Sequence, residues 1–309
     1  MPETIGQLRR QVSFPVLVPT LVPAGLHAAT PSQKSWPIIH FPYVSADGKQ
    51  GLSVANGPTG SGLDADSRKT GKSIPIRENI TAHFLVNQPE FGGSILWWNE
   101  SGAYVAIAGP YLTEEDLVRI ANSMSPDAVP PSRAQDGAVS RDGEEGIPQP
   151  TPERYVFRTF KGESTSRTEA WIVLTALPAL NWSTYSKQSG GRTMELLQWL
   201  DDRPVHDATE RANILKATTG LDGAYLEKYS IVLGTLLSED PAGFAATLAT
   251  LPVDKADRVI SLVRYYASYE GRDMSPARDR LAGLLASSDL SEQEKDLIGR
   301  LLEALQPKT

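Results

Sequence analysis

Gly71-Lys72-Ser73 resembles the end of a phosphate-binding loop. In such a loop, backbone amides and a lysine hold the phosphate oxygens. Such a loop requires a glycine five residues before Gly71, because the chain must turn its amides toward the phosphate. That position holds Asp66, whose carboxylate repels phosphate, and no apolar strand leads into the segment. We therefore reject a nucleotide-binding loop and predict a solvated loop.

The histidines, serines and cysteines do not form a recognisable catalytic or metal-binding set. The sequence has no cysteine, which removes disulfides, cysteine nucleophiles and thiolate ligands. No histidine is paired with another at a metal-ligand spacing, and no Gly-x-Ser-x-Gly elbow is present. We interpret each histidine as a surface or hydrogen-bonded structural residue: His27, His40, His83 and His206.

The acidic clusters have structural explanations. Glu114-Glu115-Asp116 lies in the first turn of a predicted helix, where the helix dipole favours negative charge. Asp201-Asp202 lies at a predicted helix end and Glu144-Glu145 in a proline-rich segment, so both are predicted to be solvated. We therefore predict no catalytic residue, no cofactor and no metal. The alternative is an enzyme whose catalytic residues lie far apart in the sequence.

Trp97 and Trp98 are the residues whose types favour binding. They are adjacent in a predicted strand, so their side chains point to opposite faces. One is expected in the core. The other is expected either to stack on a ligand or to lie beneath the linker and second domain, since tryptophan is enriched on surfaces that become covered. With Tyr104 on the returning strand, these are the candidate binding residues.

A strand hairpin and a helix must position these aromatic residues. Residues 80–86, 94–98 and 103–108 are predicted to form strands, and 99–102 a tight turn in which Gly102 suits positive φ. Thr113 with Asp116 predicts a capping box at the start of the next helix. Leu112 and Leu117 are placed to pack across that helix start.

Proline and charge patterns divide the chain of 309 residues into about two domains. Residues 1–124 are predicted to be a β-rich antiparallel domain with a C-terminal helix. Residues 125–153 carry six prolines among polar residues and are predicted to be a flexible linker. Residues 154–309 are predicted to be all-helical, although aromatic and polar residues alternate over 155–160 as in one strand.

Apolar stripes at helical spacing continue through the second half, which favours a bundle or a solenoid-like array. Asp240-Pro241 and Ser291 with Glu294 mark helix starts. The predicted fold class is therefore α+β. The predicted buried residues are Met194, Leu197, Leu200, Leu226, Tyr229, Leu233, Leu236, Phe244, Leu248, Leu251, Val259, Leu262, Val263, Tyr266, Leu281, Leu284, Leu285, Leu297, Ile298, Leu301 and Leu305.

Charge and hydropathy limit the partners. The formal net charge is −7, so a phosphate backbone repels the chain and a nucleic acid partner is not expected. Pro15, Pro19 and Pro23 interrupt the apolar stretch 12–26, and no other stretch approaches the ~18 apolar residues of a spanning helix. No membrane span is therefore predicted. Residues 1–10 also lack the apolar core of a signal peptide.

Three segments carry a family resemblance. Residues 14–26 include FPVLVP and LVPAGL, residues 96–104 read LWWNESGAY, and residues 112–124 read LTEEDLVRIANSM. Together they resemble a bacterial domain found at the C-terminus of anti-sigma factors and envelope lipoproteins, which is related to the lipoprotein-carrier and sigma-regulator fold. The resemblance covers about the first 120 residues.

The resemblance implies a curved antiparallel half-barrel with helices on one face, an extracytoplasmic setting, and sensing or binding without catalysis. The leading hypothesis is therefore a cell-envelope binding or regulatory protein. Its sheet is expected to hold an apolar ligand or partner segment in the concave face, and its helical half to contact a protein partner. The alternative is a cytoplasmic scaffold or accessory subunit that acts through the helical half.

Overall fold

The computed structural model describes residues 5–35, 37–62, 71–77, 79–129, 146–269, 273–286 and 290–306. The chain divides into two compact units, Met1–Thr151 and Pro152–Thr309. The first contains an antiparallel sheet and the second is helical, so the α+β fold class is confirmed. Asp66 and Glu144-Glu145 lie outside the described residues.

The first unit is built on an open antiparallel sheet. Its strands are β2 (His27–Ala28), β3 (Ser32–Ser35), β4 (Ile38–Val44), β5 (Gln50–Pro58), β6 (Lys72–Arg77), β7 (Ile80–Gln88), β8 (Gly93–Glu100) and β9 (Ala103–Gly109). The strand order is β2-β4-β5-β9-β8-β7-β6, and β3 also pairs with β4. A separate short pair joins β1 (Val18–Pro19) to β10 (Met124–Ser125). The described helices are α1 (Ile5–Gln11), α2 (Glu114–Asn122) and a 3-10 turn, Pro89–Phe91.

The β8–β9 hairpin has the predicted tight turn. Glu100 pairs with Ala103, which leaves a two-residue loop of Ser101 and Gly102. Gly102 has a φ of 82°, as predicted, and Ser101 also has a positive φ, of 51°. Two successive positive φ values match the twist of the strands that the turn connects.

Helix α2 begins with the predicted capping box. The Thr113 side chain accepts a hydrogen bond from the Asp116 N–H at 3.2 Å, and Asp116 Oδ2 accepts one from the Thr113 N–H at 3.1 Å. Leu112 and Leu117 are both fully buried beside it. The box satisfies backbone donors that would otherwise lack partners at the helix start.

One face of the sheet forms the main core of the first unit. Strand alternation places Val54, Leu96 and Trp98 on this face, and they pack with Leu8 of α1 and Leu117 of α2. Burial of these apolar side chains is the largest favourable contribution to the folding of the unit. The sheet therefore has one face filled by its own helices.

Asn56 fixes the chain before the sheet to strand β5. Its side chain is fully buried. Its Oδ1 accepts a hydrogen bond from the Leu17 N–H at 2.9 Å, and its Nδ2 donates one to the Leu17 carbonyl at 3.0 Å. The Asn56 amide thus makes the two hydrogen bonds that a neighbouring strand would otherwise make to the Leu17 backbone. Buried backbone N–H and carbonyl groups need such partners.

The two ends of the predicted 125–153 linker belong to folded elements. Ser125 pairs with Val18, and Ile147 is buried in the main core of the first unit. The Ile147 carbonyl also accepts a hydrogen bond from the Ala24 N–H at 2.8 Å. The linker prediction is therefore too wide at both ends, because short apolar anchors stand among the prolines. Residues 130–145 lie outside the described residues.

The second unit consists of helices in the part of the chain that the structure describes. They are α3 (Pro152–Thr159), α4 (Arg167–Ala176), α5 (Trp182–Gln188), α6 (Thr193–Asp202), α7 (Ala208–Lys216), α8 (Gly223–Glu239), α9 (Pro241–Ala249), α10 (Val253–Tyr269), α11 (Ser275–Leu285) and α12 (Glu292–Ala304). Across the described residues of the chain, no helix is long and apolar enough to cross a membrane.

The strand expected over 155–160 is wrong. Residues 155–159 belong to α3, which begins at Pro152, a residue suited to the first turn of a helix, and Phe160 follows its last residue. Tyr155 and Val156 are buried, whereas Phe157 is exposed. Adjacent buried residues fit a helix that packs one side, and the apparent alternation was too short to distinguish the two structures.

Most predicted stripes and caps of the second unit are confirmed. Asp240 caps α9 by accepting from the Gly243 N–H at 2.9 Å, and Ser291 with Glu294 forms a capping box at α12. Met194 and Leu285 are exceptions because both are exposed, and Leu226 and Leu284 are only half-buried. Leu196 takes the buried position of the Met194 stripe, because it lies on the same side of α6 as Leu200.

Candidate functional site

Trp97 and Trp98 lie on opposite faces of the sheet, as the strand alternation predicts. Trp98 is fully buried in the main core. Trp97 is 7% exposed and belongs to a second apolar cluster with Ile95 and Tyr104. We call the sheet face that carries this second cluster the aromatic face. The structure therefore brings Trp97 and Tyr104 together and separates Trp98 from them.

Trp98 has a structural environment. Its Nε1 donates a hydrogen bond to Glu100 Oε2 at 3.1 Å, and Arg77 lies over its ring at 6.0 Å from the centroid. Arg77 also forms an ion pair with Glu100 and donates to the Met124 carbonyl at 2.8 Å. These contacts join β6, β8 and β10 around one indole. The single N–H donor of the Trp98 side chain therefore already has an acceptor within the first unit.

Trp97 is the centre of a row of residues that crosses the sheet. The register pairs His83 with Trp97, Trp97 with Ala106, and Ala106 with Ala55. The same row continues to Ser73 on β6 and to His40 on β4. Large side chains therefore stand on β7 and β8, and alanines lie beside them on β9 and β5.

Aromatic contacts define the geometry around Trp97. The His83 and Trp97 rings are stacked, with centroids 4.5 Å apart and planes at 29°. The Trp97 and Tyr104 centroids are 6.1 Å apart. Both distances lie in the range of favourable ring contacts. Leu85 and Phe91 pack against the same cluster.

Gly62 lies against the ring of Tyr104. Its φ is 59°, and a Cβ added there would stand 2.5 Å from the ring carbons of Tyr104. Only glycine allows this backbone conformation and this close approach together. Gly62 thus covers part of Tyr104, which is 3% exposed.

Two ring nitrogens on the aromatic face lack hydrogen-bond partners. His83 Nδ1 and Trp97 Nε1 are both buried, and neither has a partner among the residues that the structure describes. A buried indole N–H normally has an acceptor, because an unsatisfied buried donor costs about 1–3 kcal/mol. The aromatic face therefore has unused hydrogen-bonding capacity inside an apolar surrounding.

The strand residues of the aromatic face carry no acidic side chain. Alternation assigns to this face, in the described strands β4 to β9, the residues His40, Pro42, Ser53, Ala55, Gly57, Ser73, Pro75, Thr81, His83, Leu85, Ile95, Trp97, Asn99, Tyr104, Ala106 and Ala108. Glu90, beside Phe91, is exposed to solvent. A negatively charged group at Trp97 would meet no carboxylate from these strands.

Lys72 has a structural partner. It begins β6 and forms an ion pair with Glu114 of α2 at 2.9 Å. Gly71 approaches the Phe84 carbonyl, to which an added Cβ would stand at 2.6 Å. The contacts of Gly71 and Lys72 thus hold β6 against β7 and α2.

The described residues contain no group of three or more histidine, cysteine or acidic side chains that could hold a metal ion. His206, on the second unit, is exposed, and its backbone N–H donates to Glu210 at 3.0 Å. Sequence reasoning assigned His83 a structural role and did not associate it with Trp97. The strand register, which pairs the two residues, is the missing signal.

No family model, no curated protein and no solved structure matches this chain. The functional reading therefore depends on the geometry of the chain itself.

Proposed function

We propose that the chain is a non-catalytic binding protein of the bacterial cell envelope, and that the aromatic face of its first unit holds an apolar ligand or a partner segment. The observation that carries the proposal is the buried cluster of Trp97, His83 and Tyr104 with its two unused ring nitrogens. Ligand sites are mainly apolar with a few placed polar groups, which matches this composition.

The opposite face of the sheet is less suited to a ligand. Its side chains pack with α1 and α2, and Trp98 already has an acceptor in Glu100. A ligand there would have to displace the main core of the unit. This consideration favours the aromatic face as the proposed site.

Binding is tested by titrating the purified chain with an apolar fluorescent probe and competing with acyl-chain ligands. Trp97→Ala and Tyr104→Ala should each weaken probe binding, since each removes an aromatic surface from the cluster. Trp171→Ala is the matched control, because Trp171 is an exposed tryptophan of α4. Equal binding by all variants would contradict the aromatic face as the site.

The absence of catalysis is tested separately with a broad panel of hydrolase substrates. We expect no turnover above background. Turnover that a single point substitution abolishes would overturn the non-catalytic proposal, because contaminating activity would survive the substitution.

The envelope setting is tested by adding protease to intact cells that express the native chain, with a cytosolic protein as the marker. Cleavage of the chain while the marker stays intact supports an extracytoplasmic setting. Protection of the chain until the cells are lysed would contradict it.

Exposed apolar residues on the second unit favour a scaffold or accessory subunit as the second candidate. Trp171 is 42% exposed, and Phe157, Met194 and Leu285 are also exposed. Large apolar residues on a surface are a feature of protein-binding sites. A pull-down that compares the wild-type chain with Trp171→Ser and Phe157→Ser tests this candidate. The candidate requires a protein partner that binds the wild-type chain and binds neither variant.

A further inference from the structure

Two of the buried atoms without hydrogen-bond partners, His83 Nδ1 and Trp97 Nε1, lie on stacked rings, whereas the unpaired hydroxyls of Tyr43 and Tyr185 lie in the main core of the first unit and in α5. Arg9, Arg77 and Arg203 each have one such nitrogen, yet each donates hydrogen bonds through another guanidinium nitrogen. Trp97 has only one polar atom, so its full donor capacity is unused. His83 Nδ1 lies on the ring stacked against it.

These two rings cannot satisfy each other. Their planes are inclined by only 29° at a centroid distance of 4.5 Å. An indole N–H donates in the plane of its ring, whereas the stacked histidine lies above that plane. An acceptor for Trp97 must therefore come from a group beside the stack, in the ring plane.

We propose that this group is the carboxylate of an apolar acid, of the fatty acid class, which accepts hydrogen bonds from Trp97 Nε1 and from the Nδ1–H of His83. The inference rests on the proposed function and names the chemistry of its ligand. A carboxylate only accepts hydrogen bonds, and charge-assisted bonds of this kind are roughly twice as strong as neutral ones.

Charge and polarity on the same face favour an acid over a base. No strand residue of the aromatic face in the described chain is Asp or Glu, so a carboxylate meets no like charge there. The half-buried Leu85 and the buried Ile95 and Ala106 make the surroundings of the stack apolar, so the remainder of the ligand is expected to be apolar. The carboxylate head group would bind the two unpaired nitrogens, and the apolar tail would contact the apolar residues of the cluster.

The edge of the sheet at β6 and β7 offers a route to the stack. Ser73 and Thr81, which face the same side as His83, are exposed, and His83 is partly exposed. The head group is therefore expected nearest to β7, with the tail directed along β8 and β9.

The experiment compares sodium dodecanoate with dodecanol, which have the same chain length and different head groups, by calorimetry on the full chain. We expect dodecanoate to bind at least about tenfold more tightly, because a hydrogen bond to a charged group contributes about that factor. A second measurement follows the indole N–H resonance of Trp97, which should move downfield with dodecanoate.

Trp97→Phe and His83→Phe keep aromatic rings and remove the two nitrogens. Each should weaken dodecanoate binding about tenfold and weaken dodecanol binding less, because a hydroxyl oxygen accepts only a neutral hydrogen bond. Trp171→Phe is the control for loss of a tryptophan elsewhere, and circular dichroism checks that each variant is folded. The Trp97 resonance provides a test on the unmodified chain if either variant fails to fold.

The possible outcomes distinguish the inference about the ligand head group from the proposal that the aromatic face is the binding site. Equal binding of dodecanoate and dodecanol, with no effect of either variant, overturns the carboxylate inference and leaves the apolar site standing. Binding of neither probe contradicts the proposed function as well. A Trp97 resonance that does not respond to dodecanoate overturns the inference, since the Trp97 N–H then makes no hydrogen bond to the head group.

Discussion

At the scale of single residues, Asn56 has the clearest effect on stability. Asn56→Leu would leave the N–H and the carbonyl of Leu17 buried without partners. We expect the free energy of unfolding to fall by about 3 kcal/mol, since each orphaned group costs about 1–3 kcal/mol. Urea denaturation followed by tryptophan fluorescence measures the change.

Two further variants test this explanation of Asn56. Asn56→Asp keeps the acceptor and removes the donor, so a carboxylate would face the Leu17 carbonyl and the variant should also be destabilised. Ser53→Ala, on the same strand and the opposite face, is the matched control and should have little effect. Equal stability of all three variants would contradict the role assigned to the Asn56 amide.

Ser101 offers a stabilising substitution in the β8–β9 turn. Its φ of 51° is uncommon for serine, whereas asparagine adopts this region more readily. Ser101→Asn should raise the free energy of unfolding by about 0.5 kcal/mol, and Ser101→Val should lower it by about 1 kcal/mol. Thermal unfolding by circular dichroism checks the order, which fails if valine is the most stable.

The tryptophan pair shows how far sequence reasoning reaches at this scale. Alternation predicted opposite faces for Trp97 and Trp98, because it depends only on neighbours in the chain. The choice of which residue lies in the main core, and the stacking of His83 on Trp97, depend on strand register. Register is set by packing between distant segments, so the sequence alone did not reveal it.

At the scale of elements, helix capping carries a pH dependence. Hydrogen bonds from Ser291 lower the pKa of Glu294 below its ordinary value of 4.5, and those from Ser166 lower that of Glu169. A lowered folded-state pKa stabilises the fold above pH 4.5, and that contribution is lost as the pH falls through the lowered value. We expect α4 and α12 to lose helix content on acidification.

Glu294→Gln tests this dependence, because glutamine retains the capping geometry and does not titrate. The melting temperature of the variant should change less than that of the wild-type chain between about pH 6 and pH 3. Glu303→Gln, in the same helix and outside the box, is the control. A variant that follows the wild-type acid dependence would contradict the capping explanation.

Helix ends were more predictable than helix interiors. The caps at Thr113, Asp240 and Ser291 are local hydrogen bonds between residues three apart, so sequence spacing is sufficient to find them. Residues 155–160 were assigned to the wrong element because six residues fit both periods. The proline at the start of α3 was the local signal that identified the helix.

At the scale of the whole molecule, buried tyrosines in both units predict sensitivity to base. Burial raises the pKa of Tyr185 from 10.0 to about 12 and also raises those of Tyr43 and Tyr229. Folding favours their neutral forms, so this stability is complete below pH 10 and is lost as the pH rises through the folded values.

We therefore expect tyrosine ionisation and unfolding to occur together at alkaline pH. Tyrosinate absorbance and far-ultraviolet circular dichroism, followed in one titration, should show a coincident transition for Tyr43, Tyr185 and Tyr229. Tyr185→Phe removes one of these groups and should shift the transition to higher pH. Ionisation of all tyrosines near pH 10 in a folded chain would contradict their burial.

Independent folding of the second unit is a further expectation. Pro152–Thr309 forms a compact unit with its own buried residues, among them Trp182, Tyr229 and Leu233. A fragment of residues 152–309 should therefore show helical circular dichroism and a cooperative thermal transition. A fragment without a cooperative transition would contradict its independence. The linker prediction for residues 130–145 stays a prediction.

The pairing of β1 with β10 has a consequence for synthesis on the ribosome. Val18 pairs with Ser125, and the Ala24 N–H donates to the carbonyl of Ile147, so an early segment of this unit bonds to some of its last residues. Strand β1 has no partner until Met124 and Ser125 have been synthesised. The first unit is thus expected to close only after translation of its full length, which leaves a long interval in which chaperones can hold it open.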